Sequence, residues 1–249
     1  MRWLKKHWWV LIVGILLVVV IGFLTWGLII PKPMPEALAA MQTDSQVTVT
    51  TEPWLVFQPT DQIPTTGLII YPGGRVDPRA YAPIAHSIAA QGYLVVIVPM
   101  PLNLAVFGAN RAASVIQAYP DIQHWVIGGH SLGGSMAALY ADKNRDQING
   151  LVLWASYPAN SNNLSDSNLK VASIYGTQDG LATKDKIDAS HELLPANTTW
   201  VPIDGGNHGQ FGWYGDQPGD NPATISRQDQ QAQIIQATLD LLKSVQTNP

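Results

Sequence analysis

The chain of 249 residues contains no cysteine. This absence excludes a disulfide framework, a cysteine nucleophile and thiolate ligands for a metal. Charged side chains are also scarce, at 13% of the residues, and the formal net charge is −4. From Glu36 onward, 10 basic and 18 acidic residues give a net charge of −8. An acidic domain without a basic surface is not expected to bind nucleic acid, because binding requires cations that neutralise phosphates.

Formal charge is also absent between His7 and Ile30, where nearly every residue is apolar. At about 1.5 Å rise per residue, this run can cross the roughly 30 Å hydrocarbon core of a bilayer as a helix. Tryptophans near both ends are typical of membrane interfaces; they are Trp3, Trp8, Trp9 and Trp26. Because Arg2, Lys5 and Lys6 precede the run, we expect a single-pass protein of the cell membrane with a cytoplasmic N-terminus and an extracytoplasmic domain.

The alternative for this segment is a cleaved signal peptide, since Ala37-Leu38-Ala39 resembles a small-residue cleavage site. The apolar run is longer than the hydrophobic region of a typical signal peptide, which favours an uncleaved anchor. Pro31, Pro33 and Pro35 predict that the helix stops and an extended tether begins. We therefore divide the chain into an anchor at residues 1–30, a proline-containing tether at 31–45 and one domain at 46–249.

Within this domain, short apolar runs alternate with helical stretches. The predicted strands are residues 47–50, 54–58, 67–72, 93–99, 122–127, 151–155, 171–175 and 199–203. Helices are predicted at residues 81–90, 111–118, 135–140, 184–194 and 225–242. Buried strands that alternate with helices predict an α/β fold, in which a mostly parallel sheet carries helices on both faces.

A distinctive motif lies where the fifth predicted strand meets a helix. Gly129-His130-Ser131-Leu132-Gly133 has the pattern G-x-S-x-G between a strand and a helix, as in a nucleophile elbow. The residues two positions before and after the serine must be small, because the turn is strained and bulky neighbours would clash. The turn places Ser131 at a helix N-terminus, where the helix dipole favours negative charge. Ser131 is the candidate nucleophile, and an ordinary capping serine is the alternative.

A serine hydroxyl needs a base to remove its proton and an acid to orient that base. In a doubly wound sheet these groups lie on loops after the carboxyl ends of strands. In an elbow-type fold the acid follows the serine and the histidine comes last. Asp179 and His208 follow two successive predicted strands in this order. They are the candidate acid and base; the alternatives for the acid are Asp204, Asp185 and Asp188.

Stabilisation of an oxyanion requires two backbone N–H groups that point to the place where negative charge develops. One is expected from Leu132, directly after the nucleophile. The other is expected from the loop Tyr71-Pro72-Gly73-Gly74-Arg75 after the third predicted strand. Gly74 is favoured because glycine lets the backbone approach a substrate closely, and Arg75 is the alternative.

Several motifs together carry a resemblance to a known family. They are Tyr-Pro-Gly-Gly at 71–74, Tyr-Ala-Pro-Ile-Ala at 81–85, Gly-Tyr at 92–93, Gly-His-Ser-Leu-Gly-Gly at 129–134, Tyr-Gly-Thr-Gln-Asp-Gly at 175–180 and Gly-Gly-Asn-His at 205–208. From about Gly67 to the C-terminal helix, the chain resembles the alpha/beta-hydrolase superfamily, and most closely its compact dienelactone-hydrolase-like branch. Dienelactone hydrolases use a cysteine where this chain has Ser131, and many superfamily members have His-Gly where it has Pro72-Gly73.

The resemblance implies an alpha/beta-hydrolase fold and acyl transfer to water. Ser131 would attack a carbonyl group, His208 would accept its proton and Asp179 would orient His208, while Leu132 and Gly74 bind the oxyanion. No metal or other cofactor is expected. The expected partner is a small-molecule acyl ester, besides the lipid bilayer around the N-terminal helix. An acyltransferase or peptidase with the same residues, and a non-catalytic envelope-binding module, are the alternatives.

The segment 156–170 between two predicted strands is too short for a helical cap domain. We therefore expect an open site without a lid, suited to small or extended acyl groups. The candidate substrate-binding residues are Arg75, Tyr157, Phe211 and Trp213. For the three aromatic residues, positions that cover the surface are an equal alternative. For Arg75, a surface ion pair with Asp77 is the favoured alternative. The acidic, turn-rich segment 210–221 lacks the spacing of a calcium loop and is interpreted as a rim of the site.

Overall fold

The computed structural model describes the backbone of residues 2–246 and the side chains of residues 8–246. The N-terminal run forms one helix, α1 (Arg2–Leu28). Its segment Trp8–Leu28 is long and apolar enough to span a membrane, and most of its large apolar side chains are exposed. The predicted orientation depends on Arg2, Lys5 and Lys6, whose side chains, like that of Trp3, lie outside the described residues.

The segment after α1 is packed on the domain. Residues Pro35–Ala39 form a short helix, α2, which proline can begin because the first helical position needs no N–H donor. Ala37 is buried, and the N–H group of Met34 donates a hydrogen bond of 2.8 Å to the carbonyl group of Trp213. The expectation of an extended tether at residues 31–45 is thereby corrected: the prolines end α1, but apolar contacts hold the following residues against the domain.

Eight strands form one sheet. They are β1 (Val47–Thr50), β2 (Leu55–Pro59), β3 (Thr66–Tyr71), β4 (Leu94–Ile97), β5 (His124–His130), β6 (Gly150–Trp154), β7 (Lys170–Gly176) and β8 (Thr199–Ile203). The order across the sheet is β1-β2-β4-β3-β5-β6-β7-β8. Strand β2 runs antiparallel to both neighbours, and the other adjacent pairs are parallel. The carboxyl ends of β3, β5, β7 and β8 therefore meet at one edge of the sheet.

Helices cover both faces of this sheet, as predicted. They are α3 (Ala82–Ala89), α4 (Ala112–Ala118), α5 (Leu132–Lys143), α6 (Lys184–Ala189) and α7 (Arg227–Gln246). Residues of α3 and α7 form one apolar cluster with Leu68 and Ile70 of β3. Residues of α4 and α5 form another with Ile69. The alternation within β3 arises because successive side chains of a strand point to opposite faces.

Several elements have other bounds than predicted, and two of these differences change the local structure. Strand β5 continues to His130, because its last residues pair in register with β6, as in Gly129↔Leu153. The helix predicted at residues 184–194 is interrupted: α6 ends at Ala189, and a separate 3-10 turn follows at His191–Leu193. Between β6 and β7 the chain forms neither helix nor strand, in agreement with the prediction that no cap domain is inserted there.

Candidate active site

Ser131 lies on the turn between β5 and α5. Its backbone angles are φ 52° and ψ −123°, a strained conformation for a residue other than glycine. The N–H group of Ser131 donates to the carbonyl group of Trp154 at 3.0 Å. Its own carbonyl group accepts from Ser156 Oγ at 2.7 Å. These bonds hold the turn in place, while the side chain of Ser131 is half-buried.

The glycines around Ser131 are required by the close approach of β3. A Cβ atom on Gly129 would lie 2.3 Å from the carbonyl oxygen of Tyr71, and one on Gly133 would lie 2.1 Å from the same oxygen. Both contacts are with backbone, which cannot rotate away as a side chain could. The prediction that only small residues fit at these positions is confirmed.

Asp179 and His208 meet at the carboxyl ends of β7 and β8. His208 Nδ1 lies 2.8 Å from Asp179 Oδ2, and both side chains are buried. The other carboxylate oxygen, Oδ1, accepts from the N–H groups of Leu181 and Ala182 at 2.8 and 2.7 Å. These bonds fix the carboxylate. Because an ionised carboxylate only accepts hydrogen bonds, Nδ1 of His208 is the donor to Asp179, and Nε2 is left to accept a proton.

The alternative acids are engaged elsewhere. Asp204 is exposed and accepts from Thr177 Oγ1 at 3.2 Å. Asp188 forms an ion pair with Lys184 on α6 at 2.5 Å, and Asp185 is exposed on the same helix. Asp179 is thus the predicted acid that the structure places against His208.

Ser131 and His208 line one cavity of about 290 Å³. The remaining lining residues are Leu132, Ser135, Ala155, Ser156, Tyr157, Leu181 and Ala182. Most of these side chains are small, so the cavity has room for a short acyl group beside the serine. A larger cavity of about 520 Å³ lies near the opposite ends of β7 and β8 and is lined by none of the candidate residues.

Two unpaired N–H groups lie at the start of α5 and on the loop after β3. A Cβ atom on Gly74 would lie 3.3 Å from Leu132 Cδ2, so the two residues are neighbours. Within the described part of the chain, neither Gly74 nor Leu132 donates a hydrogen bond from its N–H group. The N–H group of Arg75, in contrast, donates to the carbonyl group of Asn103 at 2.7 Å. The structure therefore favours Gly74 over Arg75 as the second candidate for oxyanion binding.

The side chain of Arg75 has neither of the roles expected for it. Its Nε and Nη2 atoms donate to the carbonyl groups of Trp26 and Ile29, at 3.0 and 2.8 Å, and its guanidinium lies 4.3 Å from the Trp26 ring centroid. Arg75 thus caps the C-terminal end of α1, where carbonyl groups lack helical partners. The expected substrate contact and the expected pair with Asp77 are both corrected, because Asp77 binds Arg79 at 2.6 Å.

A buried histidine beside the nucleophile, His130, has a role that the sequence does not indicate. His130 Nδ1 lies 2.9 Å from the Tyr81 hydroxyl, which accepts from the N–H group of Gly73 at 2.9 Å. The hydroxyl is therefore free to donate its proton to a neutral His130 ring. Burial, together with the neighbouring His208 ring 4.5 Å away, holds the pKa of His130 well below its usual value. This chain of bonds joins the loop after β3 to the elbow.

The candidate pocket residues divide into two groups. Tyr157 borders the cavity, as expected. Phe211 is buried and stacks on His130, with ring centroids 5.7 Å apart. Trp213 is also buried, and its backbone N–H group donates to the carbonyl group of Ala80 at 2.8 Å. The expectation that Phe211 and Trp213 line the pocket is corrected, since these large apolar rings pack inside the domain beneath the loop of His208.

The loop that carries His208 is held by two residues whose roles the sequence did not indicate. Asp220 accepts from the N–H groups of Gly180 and Gly209, at 3.0 and 2.8 Å, and so joins the loops of Asp179 and His208. Arg227 donates to the carbonyl group of Gly209 at 2.7 Å and to the carbonyl groups of two later glycines. The segment interpreted as a rim thus supplies a brace.

Both the sequence and the fold of the chain are similar to those of known proteins. The sequence model of the Alpha/beta hydrolase family matches residues 67–232. No curated protein matches the sequence. Among solved structures, the thermophilic esterase Est2 of the planctomycete Thermogutta terrifontis has a TM-score of 0.56 at 16% identity, covering 80% of this chain and 92% of that one.

Two further structures have the same fold. Est1E of Butyrivibrio proteoclasticus, with ferulic acid bound, has a TM-score of 0.59 at 12% identity, covering 78% of this chain and 98% of that one. A predicted CIB-like hydrolase of Thermoplasma acidophilum has a TM-score of 0.55 at 16% identity, covering 80% of this chain and 98% of that one. At such low identities, these likenesses show the shared fold alone.

Proposed function

Because the chain belongs to the alpha/beta hydrolase family, we propose that it is a serine hydrolase that cleaves small or extended acyl esters. Ser131 is the nucleophile, His208 the general base and Asp179 the acid that orients the base. The observation that carries this proposal is the 2.8 Å contact between His208 Nδ1 and Asp179 Oδ2, in a site where His208 and the strained Ser131 line one cavity.

In the proposed reaction, Ser131 Oγ attacks the carbonyl carbon of an ester while His208 Nε2 accepts the hydroxyl proton. Asp179 stabilises the imidazolium that forms, through the bond at Nδ1. The same imidazolium then donates a proton to the departing alkoxide. Water, activated by His208, attacks the acyl-enzyme and releases the acid with regeneration of Ser131.

Negative charge on the carbonyl oxygen is stabilised by the N–H groups of Leu132 and Gly74. These groups have no acceptor within the described part of the chain, so they are available without breaking an existing bond. Leu132 also begins α5, whose dipole favours an anion at its N-terminus. Preorganised donors of this kind commonly contribute a factor of about 10²–10³ each to the rate.

The proposal of an ester substrate draws on the named activities of similar folds. Est2 is an esterase, and the structure of esterase 2 phosphonylated by sarin has a TM-score of 0.59 at 14% identity, covering 81% of this chain and 95% of that one. In this chain, the small cavity beside Ser131 favours a short acyl group over a bulky one. The absence of an inserted cap between β6 and β7 leaves the cavity open, so that an extended group could project from it.

The substrate class is tested with the full chain in detergent, by measuring the hydrolysis of p-nitrophenyl esters of increasing acyl length. We expect the highest kcat/KM for short chains. Parallel reactions with an added alcohol acceptor and with peptide substrates test acyl transfer and peptidase activity. An ester product or peptide cleavage at a higher rate than ester hydrolysis would contradict the proposal.

We further propose that α1 anchors the protein in the cell membrane, with the N-terminus in the cytoplasm and the catalytic domain outside. The length and apolar surface of Trp8–Leu28 support a span, and Arg2, Lys5 and Lys6 before it support the orientation. Protease added to intact cells should remove the domain. Protection in intact cells, with digestion after lysis, would contradict this orientation.

A further inference from the structure

Two large apolar side chains outside α1 are exposed beside it. Val106 and Phe107 are 49% and 53% exposed, respectively, although Ala105 before them is buried. They belong to a 3-10 turn, Ala105–Phe107, and no residue between Met100 and Gly108 carries a charge. Exposed adjacent apolar side chains on an uncharged loop are typical of a surface that is covered by another apolar phase.

The loop that carries these side chains is fixed against α1 at two levels. At the C-terminal end of the helix, Asn103 Nδ2 donates to the carbonyl group of Gly27 at 2.9 Å, and a Cβ atom on Gly27 would lie 3.2 Å from Leu102. Nearer the middle of the helix, the Phe107 ring lies 6.2 Å from the Phe23 ring, edge to face. The loop therefore follows α1 back toward the N-terminus.

This course fixes the depth of Phe107 relative to the proposed span. Gly27 and Phe23 are separated by four residues, which is about 6 Å along a helix axis. Trp26 lies between these levels and is an aromatic residue of the kind found at membrane interfaces. If α1 spans a bilayer, the ring of Phe107 lies on the membrane side of Trp26. At that depth the ring is surrounded by lipid and not by water.

We propose that residues 101–108 form a second membrane contact, in which Val106 and Phe107 insert into the leaflet beside the C-terminal end of α1. This inference rests on the proposed role of α1 as a membrane span. The occupant of the exposed surface is lipid, because Phe107 packs against Phe23 on the apolar surface of α1 and residues 101–108 carry no charge.

The insertion would hold the candidate oxyanion loop at the lipid–water interface. Arg75 binds the end of α1, and its N–H group binds Asn103 of the inserted loop. The Cβ position of Gly74 lies 3.8 Å from Leu104 Cδ2 on that loop. The domain would therefore sit on the membrane surface in one orientation, with the candidate active site next to the headgroups, rather than move freely on a tether.

The absence of cysteine allows a direct test with single-cysteine variants of the full chain. Val106→Cys is labelled with the environment-sensitive fluorophore NBD and reconstituted in vesicles of phosphatidylcholine and phosphatidylglycerol. Ile63→Cys is the matched control, since Ile63 is 85% exposed and precedes β3, at the sheet edge opposite to the candidate site. Both positions are exposed, so neither substitution removes a core contact.

We expect blue-shifted NBD emission at position 106, quenched severalfold more by spin-labelled lipid than by iodide, and the reverse at position 63. Iodide quenching at position 106 equal to that at position 63 would overturn the proposal. Blue-shifted emission that resists both quenchers would also overturn it, because it indicates cover by protein, such as a second copy of the chain. NBD on Leu17→Cys, in the middle of α1 and 56% exposed, reports on the span in the same vesicles. Lipid quenching at position 17 with iodide quenching at position 106 overturns the second contact alone, whereas iodide quenching at both positions overturns the span as well.

Discussion

The two halves of the candidate site are supported by different parts of the chain. The acid–base half (Ser131, Asp179 and His208) lies on loops of the sheet. Hydrogen bonds join the loops of Asp179 and His208, and Ser131 is hydrogen-bonded to Ser156 after β6. The oxyanion half (Gly73, Gly74 and Arg75) is bound on one side to Tyr81 and on the other to the end of α1. The first half is braced by the catalytic domain alone, and the second also by the proposed membrane helix.

The N-terminal helix is therefore part of the structure around the site. The Arg75 guanidinium satisfies two carbonyl groups, that of Trp26 in the last turn of α1 and that of Ile29 just after it. In a fragment that lacks α1, Arg75 loses both acceptors and the Trp26 ring beneath it. A soluble fragment would then preserve the acid–base half but loosen the oxyanion half.

The largest expected effect comes from breaking the acid–base half at the nucleophile. Ser131→Ala should lower kcat for ester hydrolysis by about 10⁴-fold or more, because removal of the attacking atom leaves only binding and oxyanion stabilisation. Ser135→Ala is the matched control, since Ser135 lines the same cavity, and it should stay within about threefold of the wild type. Equal rates for the two variants would contradict the assignment of Ser131.

Asp179→Asn should lower kcat by about 10³–10⁴-fold without unfolding the protein. The N–H groups of Leu181 and Ala182 both point at Oδ1, so they would bind the amide oxygen and turn the amide NH₂ group toward His208. Nδ1 would then have to accept, which places the ring proton on Nε2, where it blocks proton removal from the serine. Asp204→Asn is the control, with near wild-type kcat expected. A comparable loss in both variants would contradict the role of Asp179.

A smaller effect is expected when the oxyanion half is released. Arg75→Ala should lower kcat about tenfold with little change in KM, less than the roughly 10²–10³-fold loss of a whole oxyanion donor, because Gly74 keeps its N–H group but loses its support. Arg75→Lys should recover part of the loss through one charged hydrogen bond. Arg79→Ala is the control, since Arg79 binds Asp77 at the surface. If Arg75→Ala and Arg79→Ala changed kcat and KM to the same extent, Arg75 would have no specific role in supporting Gly74.

Truncation before residue 33 removes the helix end that Arg75 binds, and so tests the same contact by removing the partner of Arg75. If α1 acts on the oxyanion half through Arg75, the truncated chain should show about the same tenfold loss in kcat, and Arg75→Ala should add almost nothing to it, since coupled residues are non-additive. If the losses in kcat from truncation and from Arg75→Ala were fully additive, α1 would not act on the oxyanion half through Arg75. Circular dichroism of the truncated chain checks that the domain remains folded.

The smallest effect is expected on the free energy of unfolding, from His130, whose ring is linked to Gly73 of the oxyanion half through Tyr81. Its pKa is depressed by burial in the folded chain, so below pH of about 6.5 the unfolded chain binds a proton that the folded chain does not. Stability is therefore present above that pH and is lost as the pH falls, at up to about 1.4 kcal/mol per pH unit. His130→Gln, compared by urea unfolding between pH 7 and pH 5.5, roughly the range in which the unfolded histidine titrates, should lack this slope. An identical slope in the variant would exclude His130 as its source.

The sequence was sufficient for the parts of the molecule that depend on local geometry. The alternation of strands and helices predicted the sheet. The glycines around Ser131 predicted the elbow, and the structure explains them by the close approach of the Tyr71 backbone. Asp179 and His208 were found from their places after successive strands, and the structure brings them together. The more specific resemblance to the dienelactone-hydrolase-like branch stays a prediction.

Contacts between distant segments could not be read from the same patterns. Arg75 and Trp26 are 49 residues apart, and the pattern around Arg75 gives only a nearer acid, Asp77, as a partner. The place of His130 next to the serine gives no indication of its partner, because its ring is held by Tyr81, 49 residues away. Such partners are chosen by tertiary packing, which the periodicity of a single segment does not encode.

Activation of Ser131 can be measured without a known substrate, by labelling the full chain with a fluorophosphonate probe and locating the adduct by mass spectrometry. We expect one adduct on the peptide of Ser131, which persists in Ser135→Ala and disappears in Ser131→Ala and in His208→Ala. A folded wild-type chain that remains unlabelled, or an adduct on any other residue, would contradict this expectation.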